Sequence, residues 1–333
     1  MKHGRLDLLK SVVGDLRQLA SVRRIVLDDG AERGVRALSF STGGGLDFLV
    51  LSDRSLDIGT LTWRGSQLAW QSAAGFMAPG FVNPNADMGR GFERGFSGFL
   101  ITCGLSHIRQ PVNGEPLHGR LPFTPARLTA YGEDWQHPEP RLFCEGEVVE
   151  IRGVASTLRL KRRIEAPIGG ASIRIIDCVE NLGSEPVPHA LLYHFNLGFP
   201  GIVPGSAIEL NGEELLGPIT LPDAGGLAQP HCVPARSSRA SSRAYCAVKS
   251  PEVDGKPGLT VGFAFDARTL GFLQIWRDLR EHVGVLSIEP CTSAKPDHQE
   301  FTAVPDLNPG ERRDYQVEIS LTGNPGHLSF LKH

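Results

Sequence analysis

Alternation with a period of two is the feature that most narrows what this chain can become. In LTVGFAFD, Leu259, Val261, Phe263 and Phe265 fall on one face, and Thr260, Gly262, Ala264 and Asp266 on the other. In YQVEISL, Tyr315, Val317, Ile319 and Leu321 oppose Gln316, Glu318 and Ser320. ASIRIIDCVEN and STLRLKRRIEA behave the same way. Successive side chains of a strand point to opposite faces, so each run predicts a strand with one buried face. The runs are short and separated by Gly, Pro, Asn and Asp, which favour antiparallel turns. The 39 glycines and 24 prolines fit many such turns. The expected fold class is therefore all-β, a large antiparallel β-sandwich. Helical spacing is clear only at the start, where Leu6, Leu9, Val13 and Leu16 recur. A short amphipathic helix is expected there, in a helical extension over residues 1–24 packed outside the sandwich.

The 333 residues allow one large domain or two, and a hydrophobic content of 41% allows a substantial core. The stretch SAAGFMAPGFVNPNADMGRGFERGFSGF, residues 72–99, is long for a loop. Loops of that length are often functional. The strands on either side are alike in character, so a single domain spanning 1–333 is expected. The formal net charge is −3, from 34 basic and 37 acidic residues, with no long run of one sign. That balance argues against nucleic acid or a membrane surface as partner. No window approaches a membrane span. Asp7, Lys10, Asp15 and Arg17 interrupt the apolar residues of the N-terminus, so no secretory signal is expected. Six scattered cysteines without a C-x-x-C pair read as reduced thiols of a cytoplasmic protein.

Chemistry enters through LLYHFNLGFP, residues 191–200. Strand parity puts Leu192, His194 and Asn196 on one face and Leu191, Tyr193, Phe195 and Leu197 on the other, towards the core. The polar face then lines a cleft, unless His194 and Asn196 are simply buried and satisfied by backbone groups. Two other segments add acid–base groups. PLHGRLPFTPA carries His118 beside Gly119 in a turn-rich setting. GVLSIEPCT alternates Val285, Ser287 and Glu289 against Leu286 and Ile288, placing Glu289 at a strand end before Pro290. A carboxylate there is either solvated or one of a converging acid–base set with the histidines.

These segments carry a resemblance. DCVENLGSEP followed by VPHALLYHFNLG resembles the turn and strand of aldose 1-epimerases (galactose mutarotases) that bear the acid histidine. LHG resembles their His-Gly motif, LSIEPCTSAKPD the strand presenting their catalytic Glu, and LNPGERRDYQVEISL their closing turn and last strand. The motifs stand in the family's order over residues 25 to 322. LSDRSLDIG and LITCGLSHIRQ…LHGR resemble signature segments of an uncharacterised branch of that superfamily. Two departures stand out. The His-to-Asn interval is two here rather than four, which still keeps both side chains on one face. The family's sugar-binding Asp has no clear counterpart in the middle of the chain.

The resemblance implies interconversion of sugar anomers, with Glu289 as base, His194 as acid and His118 bonding the sugar near C1 or the ring oxygen. It implies no metal and no organic cofactor. The expected partner is a small carbohydrate, the protein being a monomer or homodimer. Arg54, in LSDRSLDIG, is the leading candidate for a planar donor to the sugar, with Asp57 three residues on. Both also fit a surface ion pair. Trp70 and Trp276 are candidate stacking platforms, although Trp is also a core residue. His107, Arg109, Asn196 and Arg277 complete the candidate substrate-binding set. Two rivals remain: a non-catalytic carbohydrate-binding sandwich, and a metal-dependent sugar isomerase ligating through His107, His118, His194 and Glu289.

Overall fold

The computed structural model describes residues 3–225, 227–236, 242–252, 258–294 and 306–325. Its strands form three sheets, and every ladder between named strands is antiparallel. The first is a five-stranded meander running from Ser21–Val26 through Arg36–Ser41, Leu46–Leu51 and Asp57–Trp63 to Ser66–Gln67. The second has nine strands. From one edge they are Glu213–Leu216, Ala207–Leu210, Arg243–Lys249, Thr260–Asp266, Arg312–Thr322, Ser172–Asn181, Ser156–Pro167, Arg141–Gly153 and Arg127–Asp134. The third runs His231–Pro234, Phe272–Asp278, Val285–Cys291, Leu192–Leu197 and Leu100–Cys103, and it carries the site.

Alternation locates the core. Leu259, Val261, Phe263 and Phe265 are all buried, as are Tyr315, Val317, Ile319 and Leu321. One apolar cluster joins the sheets, with Phe40 and Phe48 from the first, Leu160, Ile175 and Val317 from the second, and Tyr193, Phe195 and Ile288 from the third. The fold is thus the expected all-β antiparallel sandwich.

A polar chain crosses this core. Arg162 donates to Asp177 at 2.9 and 2.6 Å and to Asp57 at 3.0 Å. Asp57 accepts from the Thr102 amide (3.0 Å) and hydroxyl (2.6 Å), and the Tyr193 hydroxyl donates to Asp177 at 2.7 Å. Thr102 and Tyr193 are cross-strand partners in the third sheet, so this network ties the second sheet to the back of the site. Burial pushes the Asp57 carboxyl up, and the Arg162 charge and Thr102 bonds oppose that.

The N-terminus corrects one expectation. The helix covers only His3–Val12, and a strand begins at Ser21, inside the proposed extension. Gly14 follows the helix, and Asp15 caps a separate 3₁₀ turn, Leu16–Gln18, by accepting from the Arg17 amide. A helix breaker and a strong N-cap in succession divide a pattern that spacing alone made continuous. The periodic face (Leu6, Leu9, Val13, Leu16) is half-buried, whereas Leu8 and Val12 are exposed.

Candidate active site

The third sheet is covered on both faces, which is why its strands read as apolar runs. One face meets the core through Tyr193, Phe195 and Ile288. The other meets a smaller apolar cluster in which Ile101, Cys103, Leu192 and Cys291 contact loop residues Val82, Phe92, Ile108, Leu117 and Phe123. His194, Asn196, Ser287 and Glu289 stand on that second face. The ladder between the two central strands pairs Phe195 with Ile288 and Leu192 with Cys291. Counting between those pairs sets Glu289 opposite His194. Glu289 lies inside its strand, not at the end, because Pro290 occupies a position that this ladder leaves unpaired.

His194 Nε2 and Glu289 Oε1 are 3.3 Å apart, with Glu289 fully buried. The contact is close but misaligned, so Oε1 makes no hydrogen bond within the protein. The other flank of each residue is occupied. Asn196 Nδ2 donates to the Gly98 carbonyl at 2.9 Å, which forces its Oδ1 towards His194. That oxygen accepts from Ser287 Oγ at 2.8 Å and from His194 Nδ1 at 2.5 Å. Nδ1 therefore carries a hydrogen, and Nε2 is the nitrogen free to exchange a proton with Glu289 or a ligand. Across the sheet Gln274 pairs with Glu289, and its Nε2 donates to Oε2. Burial raises the Glu289 carboxyl, while His194, Gln274 and Arg109 oppose it.

Loops build the walls. Residues 72–99, the long Gly- and Pro-rich stretch, supply Arg90, Phe92, Glu93 and Phe96. The segment after Cys103 supplies Arg109, Gln110, Leu117 and His118, and Leu227–Pro230 closes another side. The cleft measures about 330 Å³, within the ordinary range for a small ligand. Aromatic rings surround His194, with Phe96 at 5.1 Å, His118 at 5.4 Å, Trp276 at 6.0 Å and Phe92 at 6.4 Å between centroids. His118 sits at φ 62° and Gly119 at φ 75°. A Cβ on Gly119 would meet the carbonyl oxygens of Gly104 and His107 at 2.4 and 2.5 Å, so the His-Gly pair needs its glycine to approach that loop. Burial, then the charges of His194, Arg109 and His107, push the His118 imidazole well below its ordinary value. It is neutral at physiological pH, and its buried Nδ1 has no hydrogen-bond partner within the protein.

Of the residues singled out from sequence, Glu289, His194, His118, Arg109 and Trp276 line this cleft, and Asn196 lies behind His194. The others go elsewhere. Arg54 is fully buried, donating to the Gly95 carbonyl at 3.0 Å beneath the Phe123 ring, and burial lowers it to about 10. It supports the wall from behind and does not reach a sugar. Asp57 belongs to the core network above. Trp70 packs on the back of Phe96 at 4.9 Å, donates to the Val283 carbonyl, and faces a neighbouring cavity of about 790 Å³. His107 is turned to the Gln110 carbonyl at 2.8 Å. Arg277 stands on the opposite face from Trp276 by strand parity. With His107 turned aside, the four-ligand set of the metal-isomerase reading is not assembled, and among the described residues no three His, Cys, Asp or Glu are disposed to hold a metal. Arg90, Phe92, Glu93, Phe96 and Gln274 were missed. Gln274 was readable, being two residues before Trp276 on the same strand face.

A larger trough of about 950 Å³ lies along the nine-stranded sheet. Its arginines are engaged with carboxylates, Arg163 with Glu145 and Glu165, Arg268 with Asp266 and Arg243 with Glu318. The buried Arg162–Asp177 pair that also lines it is committed to the core network, whereas the smaller cleft has a carboxylate oxygen without a hydrogen bond beside a histidine, so the smaller cleft is the stronger candidate.

The fold is that of a galactose mutarotase-like β-sandwich. Among solved structures the chain is similar to a candidate aldose 1-epimerase from Klebsiella pneumoniae, at 20% identity and TM-score 0.78, covering 95% of this chain and 85% of that one. A galactose mutarotase-like protein from Clostridium acetobutylicum matches at 15% identity and TM-score 0.56, over 91% and 98% of the two chains. The GalM/aldose epimerase homologue from C. elegans matches at 14% and 0.54, over 85% and 97%. At these identities the likeness establishes the fold. No curated protein matches the sequence. The chain belongs to the family described as Domain of unknown function (DUF4432), whose model matches residues 32–321.

Proposed function

We propose that this protein is an aldose 1-epimerase-like isomerase that interconverts the anomers of a sugar in the cleft around His194. The observation that carries the reading is the buried Glu289 carboxylate 3.3 Å from the one exchangeable nitrogen of His194. Opening a hemiacetal ring needs a base at the C1 hydroxyl and an acid at the ring oxygen. Ionised Glu289 takes the hydroxyl proton, and those electrons form the aldehyde C=O. The bond from C1 to the ring oxygen breaks, and its electron pair takes the proton from His194 Nε2. Rotation about C1–C2 and closure on the other face return both protons. The pair thus begins and ends with one dissociable proton, which suits a reaction equally useful in both directions. Neutral His118 hydrogen-bonds the sugar without adding charge, and Trp276 and Phe96 offer apolar faces to the ring.

The test is saturation-exchange NMR over a panel of aldoses, sugar acids and sugar phosphates, with the wild type and His194→Asn. Exchange above the spontaneous rate is expected for at least one sugar, falling about 10²-fold or more in the variant. Binding of a sugar without any exchange would favour a purely carbohydrate-binding role. No binding and no exchange across the panel would overturn the reading.

A further inference from the structure

Glu289 has two oxygens in different surroundings, and one side chain decides between them. Arg109 Nε donates to Gln274 Oε1 at 2.9 Å. A guanidinium only donates, so the Gln274 amide cannot flip, and its NH₂ must face Glu289. Arg109 is itself immobilised. Its Nη1 donates to Ser293 Oγ and the Ala294 carbonyl, both at 3.1 Å, and its Nη2 to the Ser293 carbonyl at 2.7 Å and Cys291 Sγ at 3.3 Å. The guanidinium is therefore committed to the frame of the site, and its influence reaches Glu289 through Gln274. Gln274 is nearly fully buried.

Resting on the isomerase reading above, we propose that Gln274, gripped by Arg109, is a positioning residue that occupies Oε2 of Glu289 and leaves Oε1 as the oxygen that exchanges the proton. The geometry explains both ends of the arrangement. Oε1 is the oxygen without a hydrogen bond, and it is the one 3.3 Å from His194 Nε2. The other groups facing Glu289 do not replace Gln274. His194 belongs to the reacting pair, and His118 is held neutral by burial. The Cys103 and Cys291 thiols, which flank Leu192 on the same face, are pushed up by burial and stay uncharged. Gln274 also resolves a conflict, because a buried carboxylate without a donor would prefer to be protonated and could not act as a base.

The experiment titrates Glu289 directly by infrared spectroscopy of protein carrying ¹³C-labelled glutamate, with Glu289→Gln identifying its band. Gln274→Met removes the donor at similar volume and is expected to raise the Glu289 midpoint by about one pH unit or more. The acidic limb of the exchange rate should move with it. Gln274→Glu keeps the bond to Arg109, so it preserves the frame of the site, but sets a second carboxylate beside Glu289. The two should then titrate as a coupled pair with one step raised further. Should Gln274→Met fail to fold, Gln274→Glu carries the test. Folded variants whose Glu289 midpoint matches the wild type would overturn the inference. A wild type without anomer exchange would overturn the functional reading instead, and the titration would still report on Gln274.

Discussion

Replacing Glu289 by Gln separates chemistry from architecture. The carboxylate is completely buried, with Oε1 unbonded and Oε2 accepting from Gln274. The introduced amide would keep the shape and could satisfy both flanks. Its carbonyl oxygen would accept from Gln274, and its NH₂ would face the free Nε2 of His194 across 3.3 Å, within reach of a hydrogen bond once the misaligned pair turns. One buried charge and one unsatisfied acceptor would disappear together. An unsatisfied buried polar group costs about 1–3 kcal/mol, and the lost attraction to His194 offsets part of the gain. Stability is expected to stay level or rise by up to about 2 kcal/mol, while anomer exchange falls by roughly 10²–10⁴-fold. Urea unfolding reads the first quantity and saturation-exchange NMR the second. The combination is diagnostic, because catalytic groups are retained for function where stability alone would discard them. A folded variant with undiminished exchange, or one destabilised by more than about 2 kcal/mol, would refute the reasoning.

Three further outcomes follow from the geometry. Gly119→Ala should destabilise by about 2 kcal/mol or more, since its Cβ would lie 2.4 Å from the Gly104 carbonyl oxygen at φ 75°; the denaturant midpoint measures it. Asp177→Asn should cost about 3–5 kcal/mol by weakening the buried Arg162 pair that also holds Tyr193, and thermal unfolding should show a lowered Tm. His189 donates from Nδ1 to the Leu105 carbonyl and accepts at Nε2 from the Tyr315 hydroxyl, and burial lowers it to about 4 from an ordinary 6.5. A depressed histidine contributes stability that is complete above pH 6.5 and lost as pH falls towards 4, here about 3 kcal/mol in all. His189→Gln should flatten that acid loss in unfolding measured at pH 7 and pH 4.5, and an unchanged slope would reject it.

What was legible followed from parity. A strand side chain's face is decided by counting, so parity puts His194 with Asn196 and Ser287 with Glu289, while only the register between the two strands sets the pairs on one face of the sheet. Charge was harder to read. Arg54 stands in a turn between Asp53 and Ser55, and Arg162 shares a strand face with Leu160 and Ile164, yet with Asp57 they are core ions held by one another and by Thr102 and Gly95. Parity marks an inward face and cannot distinguish a dry one from a wet one. The walls were least legible. Arg90, Phe92, Glu93 and Phe96 lie in short 3₁₀ turns and bends, where no period ties sequence position to direction.

The same contrast explains how the site is divided between its parts. The strands place Glu289 opposite His194 by register, and each of those two residues has an amide neighbour on its own sheet face, Gln274 and Asn196. An amide can present either a donor or an acceptor, so position alone does not set the proton's place. That choice comes from outside the strands, from Gly98 at the end of the long loop and Arg109 in the segment before His118. A backbone carbonyl fixes one amide, a guanidinium fixes the other, and together they leave one nitrogen and one oxygen facing each other. Loops that look irregular in sequence thereby set the protonation geometry that the regular strands merely hold at the right distance.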